Sequence, residues 1–190
     1  IAKRIKEDFR KFSCGNPNFS ISGGIALLSA KYPIMKGAEE SANEEQRAKH
    51  HRIEKDEKNA ISFLNTAMNW DNEFPVVEEL KNKIMGLHIT DAITSSFISK
   101  VLLHRMNANI CLHKITNFKT YWMIAYDMSR MEQRTKNDQA KELIKQFVKD
   151  VCSNMSQLNG KLINTTYHPI ELWALACRWA ELELRTNNNK

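Results

Sequence analysis

No apolar run in this 190-residue chain approaches the ~18 residues that a membrane helix requires. The opening Ile1-Ala2-Lys3-Arg4-Ile5-Lys6-Glu7 is a charged amphipathic stretch and not a signal peptide, so the cytoplasm is the expected compartment and a membrane is not an expected partner. Four cysteines, Cys14, Cys111, Cys152 and Cys177, are scattered without a Cys-x-x-Cys pair, which argues against a zinc ribbon or a disulfide framework and for reduced thiols. His88, His104, His113 and His168 lack the spacing of a ligand set. The adjacent His50 and His51 would face different directions on a helix, with no carboxylate pair at i+4. No Ser/His/Asp or Cys/His grouping supports nucleophilic catalysis.

What remains is the composition of an ordinary globular protein, 42% hydrophobic and 26% charged, which excludes wholesale disorder. The net charge of +6 suits contact with RNA or ATP, but it is modest and its basic residues are spread along the chain, so a soluble surface explains it better.

The organising stretch is Asn18–Leu28, in which Phe19, Ile21, Ile25 and Leu27 alternate with small or polar residues after the turn-forming Cys14-Gly15-Asn16-Pro17. A half-buried strand is predicted there. Gly23-Gly24 inside it marks a bulge, or a place where another backbone or a ligand comes close. Before it, Ile1, Ile5, Phe9 and Phe12 form the apolar face of an uncapped helix, and the chain is expected to begin within a larger polypeptide. Pro33 is predicted to open a helix reaching about Lys49, with Ile34, Ala38, Ala42 and Ala48 on its packing side and Glu39, Glu40, Glu44, Glu45 and Arg47 outside. Its end is basic: Arg47, Lys49, His50, His51, Arg52, then Lys55 and Lys58. On charge alone that run is a solvated helix end complementing the dipole. A second strand is predicted at Asn59–Leu64, completing a βαβ-type or split-hairpin unit that cannot bury its apolar face alone.

A turn-rich joint, Met68–Pro75, carries Trp70 and Phe74 and marks a boundary between domains 1–70 and 71–190. Beyond it the periodicity is helical throughout. Five helices are expected: Pro75–Met85 closed by Gly86; one capped by Thr90, with Ile93, Phe97, Val101 and Leu102 inside and the stripe continuing to Met106; one capped by Asn117, with Tyr121, Trp122, Ile124, Ala125, Met128 and Met131; one opened by Asn137 or Asp138; and one from Pro169 with Trp173 and Trp179, followed by a frayed tail at 185–190. The aromatic and methionine stripes read as core.

The order Ser22-Gly23-Gly24-Ile25, Lys31-Tyr32-Pro33-Ile34, Ala48-Lys49, Lys58-Asn59-Ala60-Ile61 and a Trp70…Phe74 joint resembles the end of the second palm domain in the large subunit of type III-A CRISPR Csm effector complexes. Phe97–Met106 and the Tyr126-x-x-x-Arg130 helix resemble that family's C-terminal helical domain. The resemblance implies an α+β fold, the end of a ferredoxin-like, cyclase-type palm followed by an all-α helical bundle. It implies that the complete subunit, holding target RNA matched to the guide, makes cyclic oligoadenylates from ATP in antiviral defence, with magnesium or manganese held by a Gly-Gly-Asp-Asp turn. That turn is missing here, as is the family's HD nuclease domain, so this chain by itself is expected to be inactive and to hold no metal ligands or catalytic residues. It would supply the accessory side of the ATP site: Ser22 and Gly24 beside the metals, Lys49 and Lys58 on the phosphates. The implied partners are the small helical subunit, the crRNA-end-binding subunit, crRNA and target RNA. Related GGDEF-type cyclases share the Ala-Lys and basic-Asn pattern, but the long helical extension sets this chain apart from them. The alternative is a non-catalytic helical scaffold module that docks other subunits or RNA.

Overall fold

The computed structural model describes residues 1–53, 56–111, 114–153 and 157–187. Lys55, His113 and the last three residues of the predicted tail lie outside them. The chain forms two compact units, Ile1–Phe74 and Pro75–Lys190. Among the described residues no helix is long and apolar enough to cross a membrane.

The first unit opens with α1 (Ala2–Phe12), which buries none of its residues: Ile1, Ile5 and Phe12 are exposed, and only Phe9 of the predicted stripe is partly covered. The predicted strand contracts to β1 (Gly23–Ile25). Phe19 and Leu27 are exposed, both lying outside the stretch Gly23–Ile25 that pairs with β4. The helix expected after Pro33 is α2 (Ile34–His50), followed by the small antiparallel hairpin of β2 (Arg52–Ile53) and β3 (Asp56–Glu57). Next come β4 (Ala60–Phe63) and β5 (Thr66–Asn69), giving a three-stranded sheet in the order β1-β4-β5. β1 runs parallel to β4 with Gly23 opposite Ile61, and β5 runs antiparallel to β4. The β4–β5 hairpin was not legible as such: Leu64 and Asn65 both take positive φ, 55° and 62°, as a two-residue type I′ turn requires. Trp70 and Phe74, expected in a joint, are core residues with ring centroids 5.1 Å apart, and the Trp70 indole N–H donates to the Ile21 carbonyl at 3.1 Å.

The packing face of α2 is also corrected. Ile34, Ala38 and Ala42 are exposed, and the buried positions are Gly37, Glu44 and Ala48. Glu44, expected outside, lies against the sheet because its carboxylate is fully engaged: it accepts from the Ser62 hydroxyl and the Asn65 N–H (3.0 Å) and pairs with Arg47 (2.8 Å). A buried charge with hydrogen bonds on both oxygens is tolerated where an unpaired one is not.

The second unit is mainly helical. The chain enters it along α3 (Glu73–Ile89), which runs straight through Gly86; the Thr90 hydroxyl bonds back to the Gly86 and Leu87 carbonyls, closing this helix instead of opening the next. Then follow α4 (Ser95–Asn107), β6 (Ile110–Cys111), β7 (Lys114–Ile115), α5 (Phe118–Arg134), α6 (Asp138–Cys152), β8 (Gln157–Leu158), β9 (Lys161–Leu162) and α7 (Pro169–Asn187). The two hairpins β6–β7 and β8–β9 correct the expectation of helices alone. Asn117 and Asn137 cap α5 and α6 as predicted, accepting from Lys119 N–H (3.1 Å) and Ala140 N–H (3.0 Å). Phe97, Phe147 and Trp173, one each from α4, α6 and α7, meet edge to face with centroids 5.2 to 6.4 Å apart and no exposure. Trp122 and Met106 depart from the predicted core stripes and are exposed.

Candidate functional site

The parallel pairing of β1 with β4 decides where the predicted site residues lie. A chain joining two parallel neighbours must return along its crossover, so α2 runs back against β1 and ends where both strands begin. Gly24 fixes the contact: a Cβ there would stand 2.2 Å from the Glu45 nitrogen and 2.6 Å from the Glu44 carbonyl carbon. Of the partners left open for the double glycine, it is a backbone that comes close. At Gly23 nothing lies within 4 Å of the equivalent position. From Glu45 one more turn carries the helix about 6 Å to Lys49, toward the strand end where Ser22 precedes β1 and Lys58 precedes β4.

Ser22, Lys49 and Lys58 thus occupy one end of the βαβ unit, each in a different setting. The Ser22 hydroxyl oxygen is buried and, among the described residues, has no hydrogen-bond partner. Lys49 is half exposed and paired with Glu45 at 2.6 Å. Lys58 is exposed, with φ at +68°, and lines a cleft of about 790 Å³ with Lys6, Arg10, Asn59 and Asp71; Ser22, Gly24 and Lys49 are not in its lining. The neighbouring histidines are committed locally: His50 Nδ1 lies 2.7 Å from the Gln46 carbonyl, and the buried His51 Nε2 lies 2.7 Å from Glu73.

Reasoning from the sequence missed the contribution of α1 to the Lys58 cleft. Lys6 and Arg10 lie one helical turn apart on α1, a spacing visible in the sequence but without a partner until the fold supplies Asp71. Lys6 binds the Asp71 carboxylate and sits 5.4 Å over the Trp70 ring, while the Asn59 amide donates to Asp71 at 2.7 Å. Burial pushes the Asp71 carboxyl up, but the Lys6 and Asn59 hydrogen bonds with the charges of Lys6 and Arg10 outweigh it and hold the group below 3.8. A depressed carboxyl contributes stability above its unfolded value, and that stability is lost as pH falls through the folded value. Carbon-detected NMR titration of Asp71 should therefore show a midpoint below 3.8, moving upward in Lys6→Met; an unshifted midpoint in that variant would remove Lys6 as a cause.

Among the described residues no group of three or more His, Cys, Asp or Glu side chains is placed to hold a metal ion. All four cysteines are free thiols, and burial pushes the Cys177 thiol far up.

A small parallel-started sheet with one helix laid over it and a basic helix end beside its strand starts makes the first unit an α+β segment. Residues 1–62 match the family model described as Cas10/Cmr2, second palm domain. The chain is also 32% identical, over an alignment of 111 residues that covers 53% of its length, to the CRISPR system single-strand-specific deoxyribonuclease Cas10/Csm1 (subtype III-A) of Methanocaldococcus jannaschii. The match spans 14% of that relative. Both matches support the resemblance to the C-terminal part of the large Csm subunit, the palm likeness resting on residues 1–62.

Proposed function

We propose that the first unit forms the accessory wall of an ATP site in a ferredoxin-like palm, and that the subunit containing it joins ATP into cyclic oligoadenylates on binding target RNA. In this reading 1–70 is the end of the palm and 71–190 a helical domain that docks the small helical subunit and the crRNA-end-binding subunit. The observation that carries it is the parallel β1–β4 pairing, which gathers Ser22, Lys49 and Lys58 at one end of the βαβ unit. The unpartnered Ser22 hydroxyl supports it, because a buried polar group without a partner is costly unless something supplies one.

The reaction is attack of a ribose hydroxyl on an α-phosphorus with pyrophosphate leaving, and positioned cations lower its barrier by meeting the charge that develops on the phosphates. Lys49, released from Glu45, and Lys58 would bind phosphate oxygens, while Gly24 keeps α2 close enough to hold Lys49 in place. Magnesium or manganese would neutralise phosphate charge from carboxylates outside this chain; the residues described here do not fit a metal site, and no step is assigned to one.

The test is oligoadenylate synthesis by the assembled effector with target RNA. Lys49→Ala should lower it about 10- to 100-fold, the loss expected for one hydrogen bond to a charged group, with target-RNA binding unchanged. Unaltered synthesis would remove Lys49 from the site and leave the docking module, favoured by the exposed Leu103 and Met106 of α4, as the function of this chain.

A further inference from the structure

We infer that the outward ridge of α5 and the basic cleft at its C-terminal end form a binding track for a single strand of nucleic acid. The inference concerns the second unit and does not rest on the ATP-site reading.

The ridge consists of Phe118, Trp122, Tyr126, Arg130 and Arg134, four residues apart and therefore stacked in one inclined row with steps of about 6 Å. Phe118 is 75% exposed, Trp122 72% and Tyr126 61%, while the same helix buries Thr120, Ile124 and Met128 on its other side. Three aromatic rings left in solvent in register cost a soluble helix apolar burial, and they are the residue type on which unpaired bases stack. The row does not end in carboxylates, as a neutral solvated face would. The Arg130 guanidinium stands 5.4 Å over the Tyr126 ring and donates to its hydroxyl at 2.7 Å, so the last aromatic and the first cation act as one surface.

That surface continues into a cleft of about 700 Å³, between the loop ahead of α4 and the α5–α6 junction, to which Lys100, Arg130, Arg134 and Lys136 contribute cations. Its acids are Asp91 and Asp127. Asp127 is already paired with Lys100 at 2.8 Å and lies 3.1 Å from His104. Arg130, Arg134 and Lys136 have no carboxylate partner among the described residues, although eight other lysines and arginines described in this unit do: Lys81, Lys100, Arg105, Lys141, Lys145, Lys161, Arg178 and Arg185. A row of stacking platforms leading into a cleft with three uncompensated cations complements a strand that carries bases and phosphodiesters together. A purely apolar partner surface would leave those cations facing nothing.

Binding of fluorescein-labelled oligo-U RNA and oligo-dT DNA of about 12 nucleotides to the full chain, read by anisotropy across a salt series, tests this. Both strands share the phosphodiester and base chemistry, and their ratio tells which sugar is preferred. The combined variant Arg130→Gln, Arg134→Gln, Lys136→Gln should flatten the log–log salt slope by about 2. Trp122→Ala should weaken binding roughly tenfold with the slope unchanged. All four side chains are exposed, so the melting curve of each variant should overlay that of the native chain. Absence of salt-dependent binding, or an unchanged slope in the cation variant, overturns the inference. Native-like affinity in Trp122→Ala also overturns it and assigns the ridge to a protein surface instead.

Discussion

Gly24→Ala should destabilise the first unit by about 3 kcal/mol, while Gly23→Ala next to it should change stability by less than about 1 kcal/mol. The contrast follows from what each added methyl meets. At Gly24 a Cβ would lie 2.2 Å from Glu45 N and 2.6 Å from Glu44 C, both backbone atoms of α2 that cannot rotate aside. Relief requires the whole helix to lift from β1, which strips Ala48 of its cover and breaks the bonds from Ser62 and Asn65 to Glu44. At Gly23 there is open space, and a residue with a side chain favours the extended backbone. Hydrogen exchange at the β4 amides reports on this unit alone: protection should drop in Gly24→Ala and hold in Gly23→Ala. Equal protection in the two variants would mean that α2 does not sit on Gly24. Because Lys49 is placed by the same helix, Gly24→Ala should also impair whatever Lys49 does.

The second large effect is expected in the helical unit. Asp150 is fully buried and accepts from the Trp173 indole at 2.9 Å, the Gln146 amide at 2.6 Å and the Asn159 N–H at 2.7 Å, tying α6 to α7 and to the β8–β9 turn. Asp150→Ala leaves those donors without an acceptor in the interior and should cost about 3–5 kcal/mol by chemical denaturation. A loss below about 1 kcal/mol would show that water reaches the site. Burial pushes the Asp150 carboxyl up, and its hydrogen bonds only partly offset this. A raised carboxyl contributes most below its unfolded value and loses that contribution as pH rises through the folded value. The stability difference between the native chain and Asp150→Asn should therefore fall as pH climbs from about 3.8 and then level off, the opposite sense to Asp71.

How much was legible depended on whether the deciding interaction was local. Asn117 and Asn137 could be read as caps because a cap bonds to an amide two or three residues on. The span of α2 was nearly right because Pro33 and the basic end punctuate it. The face α2 buries was wrong: Glu44 is drawn inward by Ser62 and Asn65, about twenty positions away, and no periodicity of small residues contains that information. The length of β1 was overestimated for the same reason, since alternation marks which residues suit a strand but pairing decides which become one. Trp122 was taken for core with Tyr121, Ile124, Ala125, Met128 and Met131 as part of one apolar stripe, yet apolar character shows neither how many neighbours a helix has nor which of its faces they cover.

For the candidate site, the residue types and their order carried the family likeness, and Lys49 and Lys58 were named from it. Their placement at one end of a βαβ unit needed the sheet, and the company Lys58 keeps with Lys6, Arg10 and Asp71 needed α1 folded beside it.

By itself the sequence determined the kind of chain this is, a short α+β segment leading into helices, because composition, caps and turn residues act within a few positions. Only the tertiary structure decided that Gly24 serves a helix, that Asp150 and Glu44 are buried anchors, and that a row of aromatics on α5 faces outward. Those outcomes depend on which distant surfaces meet, and burial and unsatisfied hydrogen bonds are costs that exist only once they have met.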